Sequence, residues 1–204
     1  MNIYFLRHGQ TNINRDGRYQ SAADKDLNDF GRRQAELLGK RLKNYSIDIM
    51  YSSDLKRVME TSEIINKYIS KEIIVKEELR EIDMGQWDTL TIEERYINNE
   101  HYAKQWHKHL EDLPYPDGEC GEDVCKRTLK VIDEIIEKSY KDIAIVNSGG
   151  TIAILLSYFL GLEQYKRFNM NIDNCSISIV KYDVVSNKAI VKCINDTGHL
   201  YDLI

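Results

Sequence analysis

The alternation of apolar runs with helical segments constrains the fold of this chain most. Short β-branched and aromatic runs at 3–6, 47–51 and 143–146 alternate with longer segments of amphipathic helical periodicity. The run at 143–146 is apolar throughout, which is typical of a strand buried on both faces of a parallel sheet. The pattern therefore predicts an α/β fold, a three-layer sandwich with helices on both faces of a mostly parallel central sheet.

The other predicted elements continue this order along the chain. Helices are predicted over 31–45, over 54–69 with Asp54 as the N-cap, over 121–140 and over 151–160. A short strand is predicted over 73–75, and closing strands are predicted over 176–182 and 189–194. Because only a short polar turn separates the last two strands, they are expected to form a hairpin.

Length and local composition predict the domain organisation. A chain of 204 residues is expected to form a single domain, 1–204. The segment at about 90–120 is helical in its periodicity but polar and aromatic, so we expect a helical excursion that covers the functional site. Its aromatic residues Tyr96, Tyr102 and Trp106 either pack together, the commoner role, or form an aromatic wall for a ring-bearing substrate.

Charge and composition exclude several classes of function. The net charge is −5 and no long run of Lys or Arg occurs, so neither nucleic-acid nor membrane binding is expected. No stretch approaches the roughly 20 apolar residues of a membrane span. The N-terminus reads as a strand rather than a leader, which predicts a cytoplasmic protein. The cysteines and histidines lack metal-ligand spacing, so no metal is expected, and the C-terminal strands leave a homodimer possible.

Polar side chains follow three of the predicted strands where those strands end. Arg7 and His8 follow the first strand, and Ser148 lies just beyond the strand at 143–146. Arg57 lies about one turn into the helix after the second strand. Because ligands of parallel sheets bind at the carboxyl ends of the strands, these side chains are expected to share one site. Two guanidinium groups beside an imidazole suit a phosphate dianion.

An ordered set of motifs resembles the histidine phosphatase superfamily, the phosphoglycerate-mutase-like enzymes, over nearly the whole chain. The motifs are Leu6-Arg7-His8-Gly9-Gln10-Thr11 with Asn14, Tyr51-Ser52-Ser53-Asp54-Leu55 with Arg57 and Thr61, Leu79-Arg80-Glu81-Ile82-Asp83-Met84-Gly85-Gln86-Trp87, Pro116-Asp117-Gly118-Glu119, and Asn195-Asp196-Thr197-Gly198-His199-Leu200. A single Arg-His-Gly would be a weak signal, but this ordered set is specific.

The resemblance implies a role for each site residue. His8 is expected to attack phosphorus and form a phosphohistidine, and Glu81 to act as general acid and then general base. No cofactor is implied, because the histidine itself carries the phosphoryl group. The substrate-binding residues implied are Arg7, Asn14, Gln20, Arg57 and Ser148.

Ser148 departs from the family pattern, which has a second histidine at this position as a phosphate donor. A serine hydroxyl donates one hydrogen bond but brings no charge, so the exchange is expected to cost about 2–4 kcal/mol of transition-state stabilisation. Three explanations stay open at this point: an engineered substitution, a naturally weak enzyme, or a binding protein without turnover.

The motif around Glu81 selects between branches of the family. Gly85 and Trp87 after the acid resemble the phosphatase branch, and the longer chain of the mutases is absent. The resemblance thus implies a phosphomonoesterase that hydrolyses a small phosphorylated metabolite and is slowed by Ser148. The alternatives are a cofactor-dependent phosphoglycerate mutase and a non-catalytic protein that binds a phosphorylated ligand.

Overall fold

The computed structural model describes residues 1–203 and has a six-stranded sheet at its centre. The strands are β1 (Asn2–Arg7), β2 (Ile49–Ser52), β3 (Ile73–Val75), β4 (Asp142–Asn147), β5 (Ile177–Asp183) and β6 (Lys188–Asp196). Their order across the sheet is β3-β2-β4-β1-β5-β6. The first four are mutually parallel, whereas β5 runs antiparallel to both β1 and β6. The predicted mostly parallel sheet with a closing hairpin is confirmed.

Helices connect the parallel strands and cover the sheet. They are α1 (Asn12–Arg15), α2 (Asp29–Leu42), α3 (Lys56–Ile69), α4 (Ile92–Asn98), α5 (Glu100–Trp106), α6 (Gly121–Ile136) and α7 (Gly149–Phe159). Shorter 3₁₀ segments lie at Glu77–Leu79, Gly85–Trp87, Gln164–Asn169 and Gly198–Leu203. None of the helices within 1–203 is long and apolar enough to cross a membrane.

The sheet separates two apolar layers, and β4 contributes to both. Its residues Ile143 and Ile145 belong to the layer that also contains buried residues of α6 and α7. Ala144 and Val146 belong to the layer built with α2 and α3. Successive side chains of a strand point to opposite faces, so a strand buried on both sides must be apolar throughout. The three-layer sandwich predicted from that run is confirmed.

Helix α3 does not begin as predicted. The expected N-cap, Asp54, makes no capping bond; the helix starts at Lys56 after an extended Leu55. The Asp54 carboxylate instead accepts a hydrogen bond of 2.7 Å from Arg80 Nε. The N-cap prediction was wrong because the Asp54 carboxylate forms an ion pair with Arg80, which is distant in sequence, and does not bond to the N-terminus of α3.

The aromatic residues of the 90–120 segment pack around Trp87. The Trp106 and Tyr102 ring centroids lie 5.3 and 6.0 Å from that of Trp87. Tyr96 stacks on His107 at 5.4 Å, and His107 is itself parallel to Trp87 at 6.0 Å. These contacts favour the packing interpretation of the three aromatics over an aromatic wall.

Candidate functional site

The ends of the central strands meet at one edge of the sheet. Arg7 and Asn147 are register partners at the ends of β1 and β4. The His8 backbone N–H donates to the Asn147 carbonyl over 2.9 Å, which extends the ladder by one residue. A cavity of about 490 Å³ opens there. Its walls include Arg7, His8, Asn14, Gln20, Glu81 and Gly150.

A second cavity, of about 720 Å³, lies on the other side of Glu81 and is lined mainly by carboxylates. Several of these carboxylates are already paired: Asp54 with Arg80, and Glu119 with Arg127. An anion would meet mostly negative charge in this larger cavity. The smaller cavity, which contains Arg7 and His8, is therefore the candidate site.

His8 is held as a neutral imidazole with one nitrogen available. Only 2% of the residue is exposed, and Nδ1 lies 2.7 Å from the Gly9 carbonyl oxygen. Because a carbonyl only accepts, Nδ1 carries the proton and Nε2 keeps its lone pair. Burial first, then the positive charges of Arg57 and Arg7, lower the pKa of His8 well below its ordinary value. The imidazole is thus prepared to act as a nucleophile near neutral pH.

Two arginines lie beside this imidazole. Arg7 lines the cavity and donates through Nη1 to the Ile172 carbonyl. Arg57 is fully buried behind the cavity wall, where it contacts Asp24 at 3.2 Å and the Ser21 carbonyl at 3.3 Å. Burial lowers the pKa of both guanidinium groups, and the nearby Glu81 carboxylate opposes that shift. Positive charge is therefore concentrated next to His8.

Several buried donors at this edge have no acceptor among residues 1–203. They are Arg7 Nε, Arg57 Nε, Asn147 Nδ2 and Ser148 Oγ. A buried donor without an acceptor costs free energy, so a cluster of four marks a place where a ligand supplies the acceptors. One acceptor on the cavity wall, Gln20 Oε1, is also buried without a partner among residues 1–203, but the unpaired donors outnumber it, and this excess of donors suits an anion. Ser148 is fully buried and does not line the cavity itself.

Asn147 was not among the predicted site residues. Its side-chain oxygen accepts from the Ser148 N–H at 2.6 Å, which leaves the amide nitrogen without a partner. The available signal was its position at the last residue of β4, directly opposite Arg7.

Asn14 and Gln20 reach the cavity through a cap at α1. Thr11 and Asn14 form a reciprocal capping box, with both bonds at 3.2 Å. The Asn14 carbonyl oxygen also accepts from Asn174, so its amide nitrogen is left to face the cavity. Gln20 donates to Thr11 Oγ1 at 2.9 Å. The loop after β1 thus holds both amides in fixed positions.

Glu81 is anchored at the N-terminus of α7. Its carboxylate accepts from the N–H groups of Ile82, Gly150 and Thr151 at 2.9–3.0 Å, and from Thr151 Oγ1 at 3.1 Å. A Cβ on Gly150 would lie 2.6 Å from Glu81 Oε1, and one on Gly149 would lie 3.1 Å from Arg7 Nε. The two glycines therefore let the start of α7 approach both charged groups. Thr151 is another residue that sequence reasoning missed.

His199 lies outside the cavity and makes structural bonds. Arg41 Nη1 donates to its Nδ1 at 3.2 Å, and Arg41 also pairs with Asp196. Burial first, then the Arg41 charge, lower the pKa of His199 to about 4 from an ordinary 6.5.

The low pKa of His199 has a consequence for stability. Between pH 6.5 and about 4, the unfolded chain binds a proton at His199 that the folded chain does not bind, so stability falls as pH falls. Replacing His199 by Gln is expected to reduce the proton uptake on unfolding by up to one proton in this range. Urea unfolding at pH 7, 6 and 5 measures it. The exposed His101→Gln is the control, and an unchanged pH dependence in His199→Gln would contradict the assignment.

Comparison with known proteins places nearly all of the chain in one family. The sequence model of the histidine phosphatase superfamily (branch 1) matches residues 3–197. A probable phosphoglycerate mutase GpmB from Yersinia pestis is 29% identical and aligns with 98% of this chain and 95% of its own length.

Solved structures show the same fold. A mycobacterial glucosyl-3-phosphoglycerate phosphatase in complex with VO3 superposes with a TM-score of 0.86 and 25% identity, over 96% of this chain and 99% of that one. A putative alpha-ribazole-5'-P phosphatase from Escherichia coli gives a TM-score of 0.86 at 22% identity, over 96% of each chain.

Proposed function

Because this chain belongs to the histidine phosphatase superfamily (branch 1), we propose that it hydrolyses the phosphomonoester of a small metabolite through a phosphohistidine on His8. One observation carries the proposal. A neutral imidazole with Nε2 unoccupied lies beside buried donors, on Arg7 and Arg57 among others, that have no acceptor among the described residues. A phosphoryl group supplies those acceptors and the electrophile together.

The first half-reaction transfers the phosphoryl group to the protein. His8 Nε2 attacks phosphorus, the P–N bond forms, and the P–O bond to the leaving alcohol breaks. Glu81 begins this step as the carboxylic acid, gives its proton to the leaving oxygen, and becomes the carboxylate that accepts from the N–H groups of Gly150 and Thr151. The Nδ1–H bond to the Gly9 carbonyl keeps the imidazole oriented while it takes up positive charge.

The second half-reaction returns the protein to its starting state. A water molecule attacks the phosphorus of the phosphohistidine, and Glu81 takes the proton of that water. The P–N bond breaks, and inorganic phosphate leaves. Arg7 and Arg57 stabilise the charge on the phosphoryl oxygens in both steps, because guanidinium donors in a buried site are already in place.

Ser148 slows this reaction. Its position follows β4, where the family pattern has a histidine, and a hydroxyl replaces a charged donor there. The pocket retains donors for binding but lacks one positive group in the transition state. Hydrolysis is therefore slower than in a protein with histidine at that position.

A phosphate-release assay tests the proposed reaction. The protein is incubated with p-nitrophenyl phosphate and with 3-phosphoglycerate, and the products are followed by ³¹P NMR. Inorganic phosphate as the product supports hydrolysis. The mutase alternative, suggested by the name of the GpmB relative, instead requires conversion of 3-phosphoglycerate into its 2-isomer. Tight binding without either product would favour the non-catalytic alternative.

Thr151 is expected to act as a positioning residue for Glu81. Thr151→Val keeps the side-chain shape but removes the hydroxyl that contacts Glu81 Oε1 at 3.1 Å. The same hydroxyl also lies 3.0 Å from the Arg80 carbonyl, so its one hydrogen is shared between Arg80 and Glu81. We expect kcat to fall about 3- to 10-fold and the pH profile to shift, because the Glu81 carboxylate is then held less firmly. Thr128→Val, which removes a buried hydroxyl bonded within α6, is the matched control. A pH profile identical to that of the wild type would show that Thr151 has only a structural role.

A further inference from the structure

The cavity that contains His8 is also lined by a buried cation, Arg167. This residue lies in the 3₁₀ segment Gln164–Asn169, is only 4% exposed, and lines the cavity that also contains Arg7 and His8. Its Nη1 donates to Asp112 at 2.6 Å and to the Gln164 carbonyl at 2.9 Å. Within the part of the chain that the structure describes, Nε and Nη2 donate to nothing. One side of the guanidinium fork is thus available to a ligand.

Asp112 does not fully neutralise this cation. The same carboxylate caps α6, accepting from the Gly121 N–H at 3.0 Å and the Glu122 N–H at 2.7 Å. One negative charge therefore faces both a guanidinium group and the positive end of a 16-residue helix. The balance of charge at this end of the cavity stays positive.

Neighbouring aromatic residues fix the guanidinium group and add a donor. The Arg167 guanidinium lies over the Phe168 ring, with Cζ 4.4 Å from its centroid, and Phe168 stacks on His109 at 3.7 Å. Tyr115 lines the same cavity, is 5% exposed, and its hydroxyl has no hydrogen-bond partner within 1–203. A guanidinium edge and a phenol hydroxyl together form a small polar subsite.

One segment of the chain connects this subsite with the part of the cavity that contains Arg7 and His8. Arg167 and Ile172 lie five positions apart on one lining segment, and the Ile172 carbonyl accepts from Arg7 Nη1. The cavity of about 490 Å³ is therefore lined by two cations, Arg7 and Arg167, and one small ligand can contact both. A carboxylate matches the paired N–H groups of a guanidinium edge. Asp112 already offsets part of the positive charge of Arg167, so a carboxylate monoanion fits this subsite better than a second phosphate dianion.

We propose that Arg167, assisted by Tyr115, binds a carboxylate of the substrate, so that the preferred substrates are phosphomonoesters of small hydroxy acids. The proposal rests on the proposed function, because it assumes that the phosphoryl group occupies the end of the cavity near His8. It adds a second anchor, which orients the ester bond toward His8 and Glu81.

Turnover of a matched pair of esters tests this proposal. O-phosphoserine and O-phosphoethanolamine differ only in the carboxylate, and we expect kcat/KM to be about 10- to 100-fold higher for O-phosphoserine. Arg167→Gln should bring this ratio close to one, and Tyr115→Phe should lower it about 3-fold. The exposed Arg33→Gln, a matched control, should keep the wild-type ratio. An equal rate for the two esters in the wild type, or an unchanged ratio in folded Arg167→Gln, would overturn the proposal.

A binding measurement separates this inference from the proposed reaction. Calorimetric titration of the same two esters into wild-type and Tyr115→Phe protein needs no turnover. If neither ester is hydrolysed but O-phosphoserine binds more tightly, the carboxylate subsite stands and the hydrolase proposal fails. If both esters are hydrolysed and bind equally, the carboxylate subsite fails alone. Because Tyr115→Phe removes only a hydroxyl, it remains informative even where Arg167→Gln does not fold.

Discussion

Replacing His8 by asparagine is expected to abolish turnover, with kcat lowered by about 10⁴-fold or more. The reason is that no phosphohistidine can form without Nε2, and loss of a nucleophile commonly removes most of the rate enhancement of an enzyme. Asparagine retains an N–H that can donate to the Gly9 carbonyl, which His8 Nδ1 contacts at 2.7 Å. The pocket should therefore stay folded. Phosphate release under saturating substrate measures the effect.

A surface histidine provides the control for this substitution. His101 is exposed and lies on α5, away from the cavity, so His101→Asn should hydrolyse substrate at the wild-type rate. The melting temperatures of both variants should match that of the wild type within a few degrees. Retention of more than a tenth of the activity in His8→Asn would show that another group is the nucleophile.

Replacing Ser148 by histidine is expected to raise kcat/KM about 100-fold. Ser148 is fully buried at the start of α7, and its Oγ is one of the donors without an acceptor in the described chain. Ser148 itself does not line the cavity, but it follows Asn147, the register partner of Arg7, and we expect the longer imidazole side chain to bring an N–H to the transferring phosphoryl group. Such a donor is worth about 2–4 kcal/mol in a site of this kind.

Two further variants make the Ser148 experiment specific. Ser148→Ala removes the hydroxyl donor and should lower kcat/KM about 3- to 10-fold. The double variant His8→Asn with Ser148→His should stay inactive, because the new histidine is a donor and not the phosphoryl acceptor. If Ser148→His raises no activity on any ester while folding normally, Ser148 does not limit the rate.

The sequence predicted the sheet well, and it predicted that Arg7 and His8 lie at the edge of the sheet where the cavity opens, because short-range patterns encode both features. The apolar run at 143–146 is typical of a strand buried on both faces, and it is the centre of β4. Arg7 and His8 follow a buried strand, where charge is costly unless it is used. Their positions at the sheet edge agree with that argument.

Features that depend on distant parts of the chain escaped prediction. Glu81 receives its hydrogen bonds from Gly150 and Thr151, about 70 positions away, so no local pattern could show that Thr151 matters. Arg167 resembles any surface arginine in the sequence, because its burial depends on how Phe168 packs against the distant His109. Asp54 has the local sequence pattern of an N-cap, but its carboxylate accepts a hydrogen bond from Arg80, which is distant in sequence.

Trapping the covalent intermediate tests whether His8 is the phosphoryl acceptor. The protein is mixed with excess p-nitrophenyl phosphate, quenched in alkali to preserve phosphohistidine, digested and analysed by mass spectrometry. We expect one phosphoryl group on His8, formed before phosphate is released. The adduct should accumulate further in Glu81→Gln, where water is not activated. Phosphate release with no adduct on His8, or with the adduct on another residue, would contradict this assignment.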